Sequence, residues 1–220
     1  MTHQPTGFRS LHNAAPAPSP ETGATTGILE YRGWPATYAD GVANISANDW
    51  GLEVHGCIEK PTRFIYRNIL ALPQVTQDKR MVSADGWSYK GRWQGVLLEE
   101  LIKRIKPEPD KTLYINQTNA IGQTETLPLD VALAGQALLC HKIDNHSLDN
   151  LYGGPVRLMV FDRLSYKGLR HITSIEFSET PLAETSFTRK GYPIDGEIQP
   201  GDYYAFDLGA FRPLRGPEGN

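Results

Sequence analysis

Val96, Leu97, Leu101, Ile102 and Ile105 recur at helical spacing, and Pro107 and Pro109 follow directly behind them. Proline has no amide hydrogen and its ring clashes with the preceding turn, so a helix on this stripe must end near "KPEPD". Glu99, Glu100, Lys103, Arg104 and Lys106 take the opposite face, with Glu99 and Lys103 a favourable four-apart pair. This is the best-defined helix in the chain, and it is short.

Its surroundings alternate between brief strand and brief helix signals. "WGLEVHGCI" alternates as a strand with Leu52 and Val54 on one face, and Gly56 marks a bulge or a close backbone approach. "TRFIYRNILALP" holds a short helix that stops before Pro73. "RMVSADGWSYKGRWQGVLLEELI" is expected to run as a strand through Met81 and Val82, a turn at Asp85 and Gly86, and then the helix. "TLYINQT" has strand composition, "LPLDVALAG" is a helix ended by Gly135, and "ALLCHKI" fits either state. "PVRLMVF" and "HITSIEF" are strands on either side of the polar turn "DRLSYKG". Strands and helices do not alternate regularly, so an α+β domain is expected rather than a doubly wound parallel sheet.

In 220 residues this allows one main domain, expected over residues 28–210. Residues 1–27 lack the charged-then-apolar order of an export signal and are expected to be a flexible tail. From Ser186 the chain is rich in Gly, Pro and Tyr; it should wrap over the domain, with 211–220 a flexible end. Lys and Arg total 22 against 25 Asp and Glu, with no basic run, which argues against a nucleic-acid partner. "VALAGQALLC" falls well short of the roughly 20 residues that span a bilayer, so a cytoplasmic protein without a membrane partner is expected. Cys57 and Cys140 could form one disulfide, but a chain this large does not need it; both are expected as reduced, buried thiols.

Two segments suggest anion binding. In "DNLYGGPVRLMVF" Gly153 and Gly154 would let a backbone approach a ligand, and the planar fork of Arg157 could grip a phosphate. In "SYKGLRHI" Lys167, Gly168 and Arg170 crowd cations beside a flexible amide. Taken singly, each is also what an ordinary glycine turn with a surface cation looks like. "CHKIDNH" does not have zinc-ligand spacing, and His55 and His171 read as packed or hydrogen-bonded strand residues. No G-x-S-x-G elbow, P-loop or dinucleotide fingerprint occurs.

In order, "DWGLEVHGCIEKP", "SADGWSYKGRWQGVLLEELI", "YGGPVRLMV", "KGLRHITSIEF" and "RKGYP" resemble the successive signatures of the sulfite-oxidase-type molybdopterin-binding domain, from Asp49 to Pro193. The resemblance implies mixed sheets with short helices around a buried pterin pocket, and molybdopterin with molybdenum as cofactor. In that family the position of Ser83 is a cysteine whose thiolate ligates the metal, followed by x-x-Gly-Trp-Ser; here Ser83, Ala84, Asp85, Gly86, Trp87 and Ser88 occupy the motif. The resemblance further implies that Arg157 binds the cofactor, that Gly168, Leu169 and Arg170 meet its phosphate, and that Thr118 contacts it. Tyr152 replaces the usual His or Asn, and Phe161 a usual proline. "EYRGWPATYADG" does not align with the family's upstream pterin contacts.

A serine hydroxyl ionises far less readily than a thiol and depends on the metal to remove its proton. Three expectations follow. Ser83 ligates molybdenum in an oxidoreductase other than a conventional sulfite oxidase, which exchanges electrons with a separate partner because no haem-binding pattern is present. Alternatively, the pocket is a metal-free module for a small anion or a pterin, with Tyr152 and Trp87 as stacking surfaces. In the third, Ser83 acts as nucleophile or Tyr152 as acid without a metal, although the sequence assures no neighbouring base.

Overall fold

The computed structural model describes residues 28–31, 34–37 and 41–216. Strands β1 (Ile28–Tyr31) and β2 (Trp34–Thr37) form an antiparallel ribbon; the tail expected over 1–27 lies outside the described residues. Then follow β3 (Gly51–Gly56), β4 (Thr62–Ile65), α1 (Tyr66–Leu70), β5 (Val75–Val82), β6 (Trp87–Leu97) and α2 (Leu98–Ile105). The chain continues with β7 (Tyr114–Asn119), β8 (Thr124–Pro128), α3 (Leu129–Ala134), β9 (Leu138–Ile143) and β10 (His146–Ser147). Last come β11 (Arg157–Met159), β12 (Ile172–Ser178), β13 (Gly201–Ala205) and β14 (Ala210–Leu214).

Two mixed sheets carry the fold. One has the order β4-β3-β12-β7-β8, with β12 parallel to β3 and antiparallel to β7. The other runs β10-β9-β6-β13-β14, with β5 joined to β6 and β11 to β9. The α+β architecture, mixed sheets with short helices, is the one the sequence implied. Among the described residues no helix is long and apolar enough to cross a membrane.

Leu52, Val54, Ile115, Ile175 and Phe177 point from the first sheet into the main core, where Leu98, Leu101 and Ile105 of α2 meet them. Trp50 closes one end of that core, and its indole N–H donates to the Ile172 carbonyl at 2.9 Å, so the ring buries its apolar body without leaving a polar group unmet. Gly56 has φ +93°, and a Cβ there would lie 2.1 Å from the Phe177 carbonyl oxygen, which is the close approach its position in the strand suggested.

The segment after the Ser83 turn departs from expectation. It forms an eleven-residue strand, β6, before the helix begins, and Val96 and Leu97 belong to that strand rather than to the helical stripe. Glycine hides the strand's alternation. Gly91 and Gly95 sit at buried positions where Trp93 supplies the only bulky side chain between them, and a Cβ at Gly95 would fall 2.1 Å from the Leu139 carbonyl oxygen. β9 crosses there at a bulge between Gln94 and Gly95, so an apolar side chain has no room.

The end expected to be flexible over 211–220 begins inside a strand, and 217–220 lie outside the described residues. β14 runs to Leu214, which is buried, and β13 pairs in parallel with the start of β6, placing Tyr204 beside Trp87 and Ala205 beside Ser88. Arg80, itself buried, grips Asp207 with both ends of its fork, at 2.8 and 2.7 Å, and so pins this hairpin to β5 and β6. Gly56→Ala is expected to lower unfolding free energy by about 2 kcal/mol or more, since both φ and space oppose a methyl group; urea unfolding followed by tryptophan fluorescence measures it.

Candidate cofactor site

A cavity of about 140 Å³ opens where the Ser83 turn, the 3-10 turn at Asn150–Tyr152, strand β11 and the Gly168–Arg170 loop converge. Ser83, Tyr152, Arg157, Gly168, Leu169 and Arg170 all line it. Six of the seven site residues expected from sequence, scattered over 88 positions from 83 to 170, thus share one space.

Thr118 is the exception. It is half-buried on β7 opposite Thr124 and Ser174 and does not line the cavity. Successive strand residues face opposite ways, and here the neighbouring Gln117 points toward the site. The Gln117 amide donates to the Lys167 carbonyl at 2.8 Å and accepts from the Leu169 amide at 3.1 Å, clamping the main chain on both sides of Gly168.

Ser83 directly follows β5 and starts the turn into β6. Its amide donates to the Trp87 carbonyl at 2.8 Å, and Gly86, at φ +83°, takes the left-handed position that closes the turn. The Ser83 hydroxyl donates to Asp85 Oδ2 at 3.2 Å and accepts from the Asp85 amide at the same distance. An oxygen side chain thus stands at the cavity with a carboxylate directly beside it. The sequence showed Asp85 only as a turn residue.

Arg157 is fully enclosed, and among the described residues no carboxylate pairs with it. Nη1 donates to the Tyr152 carbonyl at 3.1 Å, while the buried Nε has no partner. Burial, with the Arg170 charge adding repulsion, pulls the guanidinium down to about 9, still cationic at neutral pH. A buried cation with a like charge nearby and an unmet donor fits an anion-binding site.

The glycine pair works differently from the expected close approach to a ligand. A Cβ on Gly153 would lie 2.7 Å from Arg170 Cβ, and one on Gly154 would lie 2.1 Å from the Leu148 carbonyl oxygen. Both glycines let protein pack against protein. His171 completes the junction: its amide donates to the Gly153 carbonyl at 3.0 Å and its Nδ1 bonds the Gly154 carbonyl at 2.8 Å, so the Arg170 loop and the turn before Arg157 are tied together.

Lys167 also corrects an expectation. It does not join a cation cradle at the cavity; its ammonium is buried on Glu125 Oε1 at 2.5 Å and on the Ile194 carbonyl at 2.6 Å. "DRLSYKG" is therefore a buried junction rather than a solvated turn. The opposite cavity wall is aromatic: Tyr166 stacks on Phe187 at 5.2 Å between centroids and packs against Tyr192 at 5.1 Å. Phe161 belongs to the core, tilted against Trp93.

No cysteine takes over from Ser83. Cys140 donates its thiol to the Lys142 carbonyl at 3.1 Å, and burial pushes it up to about 12, so it is a neutral thiol at physiological pH. Cys57 is only half-buried, away from the expected full burial, and neither lines the cavity. His141 bonds Gln74 at 2.8 Å, and among the described residues no three His, Cys, Asp or Glu side chains gather as metal ligands.

The mixed two-sheet fold thus places a cavity with a buried arginine, paired with no carboxylate among the described residues, beside a strand-end turn, an arrangement suited to an anionic ligand. Residues 39–187 match the oxidoreductase molybdopterin binding domain family, and the chain belongs to that family. It is similar to the protein-methionine-sulfoxide reductase catalytic subunits MsrP of Gluconobacter oxydans, 28% identical over 69% of this chain and 54% of that one, and of Campylobacter jejuni, 26% identical over 71% and 59%. It is also similar to the putative protein-methionine-sulfoxide reductase subunit YedZ1 of Azospira oryzae, 28% identical over 62% of this chain and 52% of the other. The chain spans a little over half the length of these curated relatives. The sulfane dehydrogenase SoxCD of Paracoccus pantotrophus shares the fold, with a TM-score of 0.67 over 91% of this chain and 57% of that chain, at 14% identity.

Burial lowers His141 and His171 to about 4, with Lys142 adding to the effect at His141 and Arg170 and Arg157 at His171. Both are neutral in the folded chain but protonate near 6.5 when unfolded, so the unfolded state binds more protons as pH falls from 6.5 toward 4. Thermal stability is expected to drop through that window, and His171→Asn should flatten part of the drop in a pH series of melting curves.

Proposed function

We propose that this chain is the pterin-binding part of an oxidoreductase that acts on oxidised sulfur, with the anionic end of the cofactor held by Arg157 and Arg170 and with Ser83 facing the metal. Arg157 carries the reading: the protein bears the cost of enclosing a guanidinium, leaves Nε unmet, and provides no carboxylate for it among the described residues. The arginine side of the cavity fits a phosphate-bearing pterin. The ligand side is altered, because oxygen stands where the family has sulfur.

Bound molybdopterin would supply two-electron oxygen-atom transfer. The residues of the chain do the rest. Arg157 and Arg170 bind negative charge, the Gln117 clamp fixes the Gly168 main chain that lines the pocket, and Asp85 orients the Ser83 hydroxyl. Tyr166, Phe187 and Tyr192 form a wall that suits an organic sulfur substituent better than a small oxyanion such as sulfite. Relatives named as methionine-sulfoxide reductases support a sulfoxide as substrate class. Its reduction takes two electrons and two protons and yields a thioether and water, the electrons coming from a separate electron-transfer partner.

A second reading, a metal-free pocket for a pterin or another small anion, is favoured by one observation: the Ser83 hydroxyl already has both a donor and an acceptor in Asp85. Purification from molybdenum-replete cells that make the cofactor separates the two. Molybdenum and pterin in equal amounts support the first reading, pterin without metal supports the second, and absence of both removes the cofactor from the account. Ser83→Cys is expected to raise retained molybdenum severalfold, because a thiolate is the softer and more readily ionised ligand. Arg157→Lys keeps the charge but loses the fork, and should weaken pterin retention about tenfold.

A further inference from the structure

Gln117 and Glu125 face each other across β7 and β8, and both side chains are fully buried. Gln117 clamps the main chain around Gly168, as described. Glu125 does more than accept the Lys167 ammonium. Its Oε1 also takes the Thr126 amide at 2.8 Å, and its Oε2 takes the Thr185 hydroxyl at 3.3 Å. Lys167 in turn donates to the Ile194 carbonyl. One ion pair therefore touches β8, the turn that leads into Gly168–Arg170, and both ends of the segment from Thr185 to Ile194.

That segment carries Phe187 and Tyr192, the aromatic cavity wall. Its far end lies directly on the lysine stem, where a Cβ on Gly196 would fall 2.3 Å from Lys167 Cγ, and Tyr166 donates its phenol to the Pro193 carbonyl. Neither Glu125 nor Lys167 lines the cavity. Burial pushes the Glu125 carboxyl up and the Lys167 ammonium down, and each charge opposes the shift of its partner. Exposed ion pairs contribute little order, but a buried pair whose remaining donors and acceptors are met holds its neighbours in one arrangement.

We propose that the Glu125–Lys167 pair is a positioning pair that sets the anion-gripping loop and the aromatic wall in register with each other. The pair joins the two walls directly, since Lys167 precedes Gly168 in the chain while Lys167 and Glu125 between them hold Ile194 and Thr185. A shift of this pair moves both walls at once.

Removing one partner strands a buried charge and destabilises the chain for that reason alone, so the informative variant is the double one, Glu125→Leu with Lys167→Met. Its melting temperature is expected to stay close to that of the wild type. Two readouts follow. Tryptic cleavage after the exposed Arg189 and Lys190 of the folded protein should speed up about tenfold as the segment loosens. Pterin per chain, after expression in cells that make the cofactor, should fall about threefold or more.

The pterin readout rests on the function proposed above, whereas the cleavage readout does not. A wild-type chain without pterin would therefore sink that function and leave cleavage to decide the positioning claim. Unchanged cleavage and unchanged pterin in a stable double variant would overturn the claim and reduce the pair to a stability element. Lys167→Arg serves where the double variant does not fold: it keeps the buried charge, but its planar fork cannot reproduce the reach of one ammonium to both partners. It should shift cleavage in the same direction, and wild-type cleavage would count equally against the claim.

Discussion

Arg157, enclosed by protein and paired with no carboxylate among the described residues, sets the terms for everything around it. Taking a guanidinium out of water is unfavourable by several kcal/mol unless its donors are met. Among the described residues only Nη1 is seen to reach a protein acceptor, the Tyr152 carbonyl, and that carbonyl is in place because Asp149 caps the short turn beneath it. The turn is held by packing at Gly153 and Gly154, and by His171, whose neighbour Arg170 brings a second cation to the same space. The local geometry is thus organised to keep positive charge where water is scarce. Such an arrangement is stable when an anion completes it.

Opposite that charge, the fold places chemistry on a strand end. β5 and β6 are joined by a four-residue turn, and Ser83 is the last residue before the chain reverses. A strand end is a rigid mount, since the β5–β6 ladder fixes the approach and the Arg80–Asp207 fork locks a second hairpin behind it. A hydroxyl held this way differs from a thiolate in softness and in ease of ionisation. The carboxylate of Asp85 lies beside it as a second hard oxygen, so the altered side of the pocket is consistently oxygen-bearing.

The parts of this picture that could be read in the amino-acid order are those where side-chain chemistry is the cause. Leu52 and Val54 alternate because one face of β3 is buried, and the residues at Ser83, Arg157 and Gly168–Arg170 were recognisable by kind and sequence order. The failures have physical reasons. β6 was hidden because glycines, not apolar side chains, fill its crowded positions, where backbone from β9 leaves no volume. Thr118 does not line the cavity, and the pleat sends its neighbour Gln117 to the Gly168 main chain instead, a difference of face that residue type alone does not reveal. Lys167 looked like a partner of Arg170, yet its charge is consumed by Glu125 from a strand more than forty positions earlier. Glu125 was itself readable in principle, as a lone carboxylate inside the otherwise uncharged strand "TETLP". The phenyl and phenol groups of Phe187 and Tyr192 become a wall only through a chain path that no local pattern encodes.

The parallel pairing of β13 with β6 carries a consequence for how the molecule is made. Tyr204 and Ala205 are the lateral neighbours of Trp87 and Ser88, more than a hundred residues upstream. On a ribosome, the turn that bears Ser83 emerges early and waits, with one flank open, until the last hairpin arrives to close it. The hairpin does not itself line the cavity; it braces the strand that carries Trp87, so the mount of the Ser83 turn is completed by a part of the chain that stands outside the pocket.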